Sequence, residues 1–234
     1  MKHFLQILIL LTSISTYGQY YADMEISKKN LTSWNVKSYE EYMGIYKLGF
    51  SDEECNFRLI ISDTIIVAQI RFFTDDSTTG GFKNTFKTFT NVRIDGNKFY
   101  SDQTNGKFVF YKNEYNDSVA GLLVYNPWTY KISKGGEFGC ISQRGDAFFV
   151  GKYIFASTRL LTEEELESYD LNELKIMRNE IFARYGFIFQ KGGEMDLYFS
   201  KQDWYRANYE KIDQWLTVIE LKNIEVIKKV EKSK

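Results

Sequence analysis

A helix is pinned at both ends between residues 170 and 186. Asp170 is a good N-cap, and Glu173 three residues later completes a capping box. Such a pair satisfies two backbone N–H groups that the helix itself leaves open and contributes about 1 kcal/mol. Gly186 suits the C′ position, where only glycine takes a left-handed conformation without a Cβ penalty. Between these caps Leu171, Leu174, Met177, Ile181, Phe182 and Tyr185 recur at helical spacing and form one apolar face, which needs a cover. Arg178 projects from the middle of that face. An unpaired buried guanidinium costs several kcal/mol, so Arg178 must meet a carboxylate or backbone carbonyls, or open into a cleft. Asn179, Glu180 and Ala183 fall on the other side, and Arg184 at the rim. After Gly186 the period changes. Phe187, Ile188 and Phe189 read as extended, Gly192-Gly193 as a loop, and Leu197, Tyr198 and Phe199 as an apolar cluster ahead of Trp204 and Tyr205. Elements this short cannot each bury a face alone and are expected to fold onto the helix.

The run Arg178-Asn179-Glu180-Ile181-Phe182-Ala183-Arg184-Tyr185-Gly186, followed by Tyr198-Phe199 and Trp204-Tyr205, resembles the YARHG domain. That family is a small extracellular module of bacterial proteins, named for a Tyr-Ala-Arg-His-Gly string. The resemblance spans residues 160–231, with Phe182 at the name-giving Tyr and Tyr185 at the name-giving His. Both positions read as aromatic packing sites. The resemblance implies an exported location and a small helical fold, and it carries over no catalytic activity. Its candidate motif or binding residues are Arg178, Asn179, Glu180, Arg184, Tyr185, Trp204 and Tyr205.

Residues 1–18 read as a secretory signal peptide. Lys2 and His3 give a charged start, the apolar run 4–11 is too short to span a bilayer, and Thr16-Tyr17-Gly18 offers a cleavage site. The expected product is secreted or periplasmic, with no later stretch long enough to span a membrane. Its formal charge moves from −1 to −2 on losing Lys2, and its only histidine, His3, goes with the leader. Without histidine, Ser-His-Asp and Cys-His arrangements are excluded, as are the usual zinc sites. A near-neutral balance argues against nucleic acid. No catalytic, cofactor or metal residue is assigned, and no cofactor is expected. In an oxidising compartment Cys55 and Cys140 could form a disulfide, closing 140 − 55 = 85 residues and contributing at most about 4–5 kcal/mol. Two separately buried thiols are the alternative.

Residues 19–37 lack periodicity and read as an irregular arm. Ser38 with Glu41 forms a capping box for a helical turn that runs into Gly44-Ile45-Tyr46. From there to 156 the sequence is β-like. Phe57, Leu59 and Ile61 alternate, 65–73 follows an Asp63-Thr64 turn, and 82–94 carries β-favouring residues. Asp95-Gly96 and Asn105-Gly106 are hairpin signals. Further runs lie at 108–111, 121–125, 128–132, 138–141, 148–150 and 153–155. The fold class is therefore α+β: an antiparallel meander over 38–156, closed as a barrel or left as a curved sheet, then a helical domain over 157–234. Within the latter, Thr162 with Glu165 caps a first short helix. Thr217 with Glu220 caps the last, whose apolar stripe is Leu221, Ile224, Ile227 and Val230. A helical turn leading into Gly44-x-Tyr46 and a meander is similar to lipocalin-like barrels, which implies an interior cavity for a small apolar ligand. Aromatic residues make up 17% of the chain, enough for Phe and Tyr to fill such an interior instead.

Three functions compete. The first is a non-catalytic exported protein that binds an envelope component or another protein, with Trp204, Tyr205, Arg206 and Arg184 as contact types. Burial is expected more for Trp204 than for Tyr205. The second is a hydrolase of envelope glycan working through two carboxylates, from among Glu180, Glu194, Asp196 and Asp203. The third is a carrier whose cavity would be lined by Phe86, Val92, Phe108 and Phe110. The first is preferred. Arg144-Gly145-Asp146 spells a cell-attachment tripeptide, and is also ordinary turn chemistry.

Overall fold

The computed structural model describes residues 26–49, 54–76, 80–113, 116–127, 136–142 and 150–234. The expected signal segment, the runs at 128–132 and 148–149, and Arg144-Gly145-Asp146 lie outside these residues. Ten strands are described: β1 Leu31–Ser33, β2 Gly44–Leu48, β3 Cys55–Ser62, β4 Ile65–Asp76, β5 Gly81–Thr88, β6 Arg93–Asp95, β7 Lys98–Tyr100, β8 Asn105–Lys112, β9 Ser118–Val124 and β10 Glu137–Ser142. They form one antiparallel sheet in the order β5-β4-β3-β2-β10-β9-β8-β7-β6, with β1 also on β8. The helices are α1 Glu163–Leu166, α2 Leu171–Arg184, α3 Glu194–Phe199 and α4 Val218–Ser233.

The sheet is curled but not closed, which corrects the barrel alternative. Its end strands β5 and β6 do not pair. The links that follow β5 and β7 meet instead. Asp102 N donates to Thr90 O at 3.1 Å, and Thr90 Oγ1 and Asn91 Nδ2 each reach Asp102 Oδ2 at 2.7 Å. The concave face is filled by aromatic rings. Tyr42 stacks on Phe108 with centroids 3.8 Å apart, and Phe57 meets Phe99 edge-on at 5.4 Å. The proposed cavity lining is divided: Phe108 and Val92 belong to this inner core, whereas Phe86 packs on the opposite face with the helices. Neither the open sheet nor its packed interior supports the lipocalin-like resemblance.

Register explains the cysteines. Cys55 pairs with Leu48 and Cys140 with Lys47, so β2 lies between them. Two strand spacings are about 9.5 Å, beyond disulfide reach. Because Lys47 and Leu48 are neighbours, the two thiols also point to opposite faces. Cys55 sits in the inner core and Cys140 in an outer cluster with Phe138 and Tyr111. Both are buried and not joined to each other.

Local signals fared unevenly. The capping boxes at Ser38, Thr162, Asp170 and Thr217 all form. Asp95 pairs with Lys98 around a Gly96-Asn97 turn, as its signal implies. Asn105-Gly106 does not turn the chain. Tyr100 pairs with Asn105 and Phe99 with Gly106, so both lie inside the ladder. Gly106 is there for close approach, since a Cβ would stand 2.5 Å from Leu123 O. The arm read as irregular contains β1, held by β8. The run 153–155 is not a strand, because Ile154–Ser157 is a 3-10 turn. On α4 the buried stripe is Ile219, Ile224, Ile227 and Val230, and Leu221 is exposed.

The helices cover the convex face of β2–β5. Ile45 and Phe86 join their main core with Met177, Ile181, Tyr185 and Trp215. Ile60 and Val67 pack on Ile219 of α4. β3 is consequently buried on both faces, from Cys55 through Ile61.

Candidate functional site

Arg178, Asn179, Glu180 and Arg184 of α2 each have a definite partner within the fold. Glu180, on the side of α2 away from the apolar face, is 1% exposed. Its carboxylate accepts from Lys152 N at 2.9 Å and Tyr153 N at 2.6 Å, and it forms an ion pair with Arg184. Arg184 is also buried instead of standing at the rim, and donates to Val150 O and Ser157 Oγ, both at 2.8 Å. The segment leading into the helices crosses this side of α2, which is why the side read as polar is covered. Gly151 makes the crossing possible. Its φ is +102°, and a Cβ would stand 2.4 Å from Glu180 Cδ. Arg178 is half-buried and meets the carboxylate of Glu231 on α4 at 3.0 and 3.1 Å. Asn179 Nδ2 donates to Lys175 O of its own helix.

Tyr185 is more than the packing residue its position implied. It is 3% exposed, and Phe86 meets its ring edge-on at 4.8 Å. Its hydroxyl donates to Glu220 Oε2 at 2.7 Å and accepts from Arg58 Nη2 at 2.7 Å and Gln69 Nε2 at 3.2 Å. Burial, with the Glu220 carboxylate adding to it, raises the phenol far above its usual range, so the group is a neutral O–H donor. Gln69 Nε2 and Thr88 Oγ1 both reach Trp215 O, at 2.7 and 2.8 Å. Arg58 and Glu220 lie 3.7 Å apart as a buried ion pair. Arg58, Gln69 and Arg71 were not singled out from sequence. Their signal was there: polar side chains inside otherwise apolar strands. The pairing Arg58↔Gln69 and Asn56↔Arg71 brings them side by side on the convex face.

Beside this network lies a cavity of about 190 Å³ between β3–β5 and the helices. Arg58, Arg71, Arg184, Tyr185 and Glu220 supply its polar wall, and Phe86 and Trp204 its apolar wall. Trp204 is partly exposed, whereas Tyr205 is 7% exposed and donates to Phe187 O at 2.6 Å. That reverses the expected order of burial. Arg206 is exposed and bonds to Asp203 O and Tyr205 O. The four candidate acids do not form a desolvated facing pair. Glu180 is the buried one, with both oxygens engaged. Glu194 and Asp203 are exposed, and Asp196 accepts from Gly192 N at 2.8 Å.

The capped helix with its inward Glu180 and Arg184, the left-handed Gly186 and the aromatic cluster below it form one continuous unit starting at residue 150. Residues 150–232 match the YARHG domain. The match covers the C-terminal third, beginning at the segment that Glu180 and Arg184 grip, and leaves the sheet outside it. Comparison with curated proteins and with solved structures found no match for the chain. The YARHG domain is consistent with an extracellular or envelope-associated module that binds protein. Among the described residues no helix is long and apolar enough to cross a membrane.

Proposed function

We propose that this chain is an exported, non-catalytic binding protein that docks an envelope component or another protein. One contrast supports the reading. The polar groups of the YARHG motif are consumed in holding the fold, while large apolar side chains stand in water nearby. Phe82 is 70% exposed and Phe73 is 50% exposed. Register puts both on one face of the β4–β5 hairpin, since Phe73 pairs with Asn84 and Asp75 with Phe82. Arg71 and Phe86 continue that face to the YARHG domain. Tyr209 braces the hairpin, donating to Asn84 O at 2.8 Å, with Lys83 over its ring at 5.1 Å. Exposed aromatics on a braced element mark interaction surfaces better than scattered apolar residues do.

The test is a photo-crosslinking residue at position 82, compared with one at exposed Lys98 on β7, in the native host's envelope. A discrete adduct from 82 that disappears with Phe73→Ser supports the reading. Equal or absent crosslinking at the two positions refutes it.

A further inference from the structure

We propose that a cavity on the outer face of β1, β8 and β9 binds an aliphatic carboxylate, a small molecule with a short apolar chain and one anionic end. This goes beyond docking at the β4–β5 hairpin and does not depend on it. Side chains alternate along β8 and β9, so Phe108, Leu122 and Val124 enter the inner core while Lys107, Val109 and Leu123 face the other way. The apolar cluster on that outer face contains no residue of the helices, and Ile26 and Leu31 join it from the N-terminal arm. Here lies a cavity of about 380 Å³, within the roughly 300–1,000 Å³ of small-molecule sites.

Its floor is aliphatic, made by Ile26, Leu31, Val109 and Leu123. Its rim is basic. Lys28 and Lys107 line it, both are exposed, and among the described residues the lining contains no carboxylate. Register adds a third ammonium just outside. Lys107 stands directly opposite Lys98 of β7, and Asp95 of β6 stands on the far side of Lys98. Among the described residues none of the three lysines forms an ion pair. Like charges directly opposite in a ladder destabilise it, and an anion beside Lys107 relieves that repulsion. The hydroxyls of Thr32, Ser33 and Tyr125 also line the cavity and have no hydrogen-bond partner among the described residues. Donors are therefore at hand for both oxygens of a carboxylate. Charge recognition alone needs no aliphatic floor, and an apolar ligand needs no lysines, so the two halves together call for an amphiphile.

The full chain, labelled at its leucine and valine methyl groups, is titrated at constant ionic strength with octanoate, acetate and octylamine, each to about 10 mM. The expected result is a saturable shift of the Val109 and Leu123 methyl signals with octanoate. Each buried methylene is worth about fourfold in affinity, so acetate should bind at least about tenfold more weakly, and octylamine should not bind. The double variant Lys28→Met with Lys107→Met should weaken octanoate binding by about tenfold without lowering Tm, since both side chains are exposed. Absence of a saturable octanoate shift overturns the proposal, as does equal binding of acetate or of octylamine, or an undiminished affinity in the double variant. Sedimentation of the chain with phosphatidylglycerol vesicles that octanoate does not compete would assign the basic rim to a membrane surface, and overturns it too.

Discussion

Tyr185→Phe deletes one oxygen and leaves a ring of the same shape. The lost contacts are the 2.7 Å bond to Glu220 and the 2.7 Å bond from Arg58. The Gln69 bond matters less, because Gln69 Nε2 keeps Thr88 Oγ1 at 2.8 Å and Trp215 O at 2.7 Å. A hydrogen bond to a charged group is worth about 1.5–3 kcal/mol. Two such bonds are lost, but Arg58 and Glu220, 3.7 Å apart, can close on each other and recover part. The expected cost is about 2–4 kcal/mol, a large share of the roughly 5–15 kcal/mol that stabilises a folded protein. For a chain of 234 residues it lowers Tm by roughly 5–15 °C. Urea unfolding of wild type, Tyr185→Phe, Glu220→Gln and the double variant closes a cycle. Because the residues touch, a coupling energy of about 1–3 kcal/mol is expected. A loss under about 0.5 kcal/mol, or additive single variants, would show that the hydroxyl is not the hub of this seam.

Other consequences are as direct. Gly151→Ala should cost about 2–4 kcal/mol in chemical unfolding, because it combines a left-handed φ with a methyl driven into Glu180; a smaller cost than Asn105→Ala would contradict the assignment. Glu173 is held below its ordinary range, first by Lys152 and then by the Asp170 N–H, and Glu165 by Arg159 and then the Thr162 N–H. Their contribution is fully present above the ordinary value of 4.5 and is lost as pH falls below it, so Glu173→Gln should lower the urea midpoint slightly at neutral pH and flatten the acid limb, the two profiles converging at low pH. Burial raises the Cys140 thiol, and the two cysteines are not joined, so a thiol reagent should react only as the chain unfolds and a reductant should not move Tm.

What sequence made legible was chemistry that closes within a few residues. A capping box needs a side chain and a backbone N–H three positions apart, and all four form where their letters stand. Asp95-Gly96 turns the chain for the same reason. Asn105-Gly106 carries equally good turn letters but is overruled by tertiary contact, since Leu123 O passes where any Cβ at 106 would lie. Helical periodicity fails in a related way. It assigns α2 one apolar face, but the chain at 150–153 crosses the opposite side, and a Glu and an Arg four residues apart become the grip for that crossing. Arg178 was legible as a residue needing a carboxylate, backbone carbonyls or a cleft; the carboxylate is that of Glu231, which stands 53 residues away and which nothing local names.

The seam is where the two kinds of information meet. Arg58, Tyr185 and Glu220 are polar residues whose own neighbourhoods in sequence are apolar, and each alone is a costly group to bury. Arg58 and Tyr185 are 127 residues apart, and Tyr185 and Glu220 are 35 apart. Only the folded arrangement makes them inexpensive, by giving each the partner another supplies. That interdependence gives the seam its specificity: sliding β3 by one residue would turn Arg58 to the inner core and leave Glu220 charged and unpaired beneath the sheet. A hydrophobic seam would tolerate such a slip far better. The buried polar triad therefore fixes how the YARHG domain sits on its sheet, and with it the alignment of Arg71, Arg184 and Trp204 around the cavity between them.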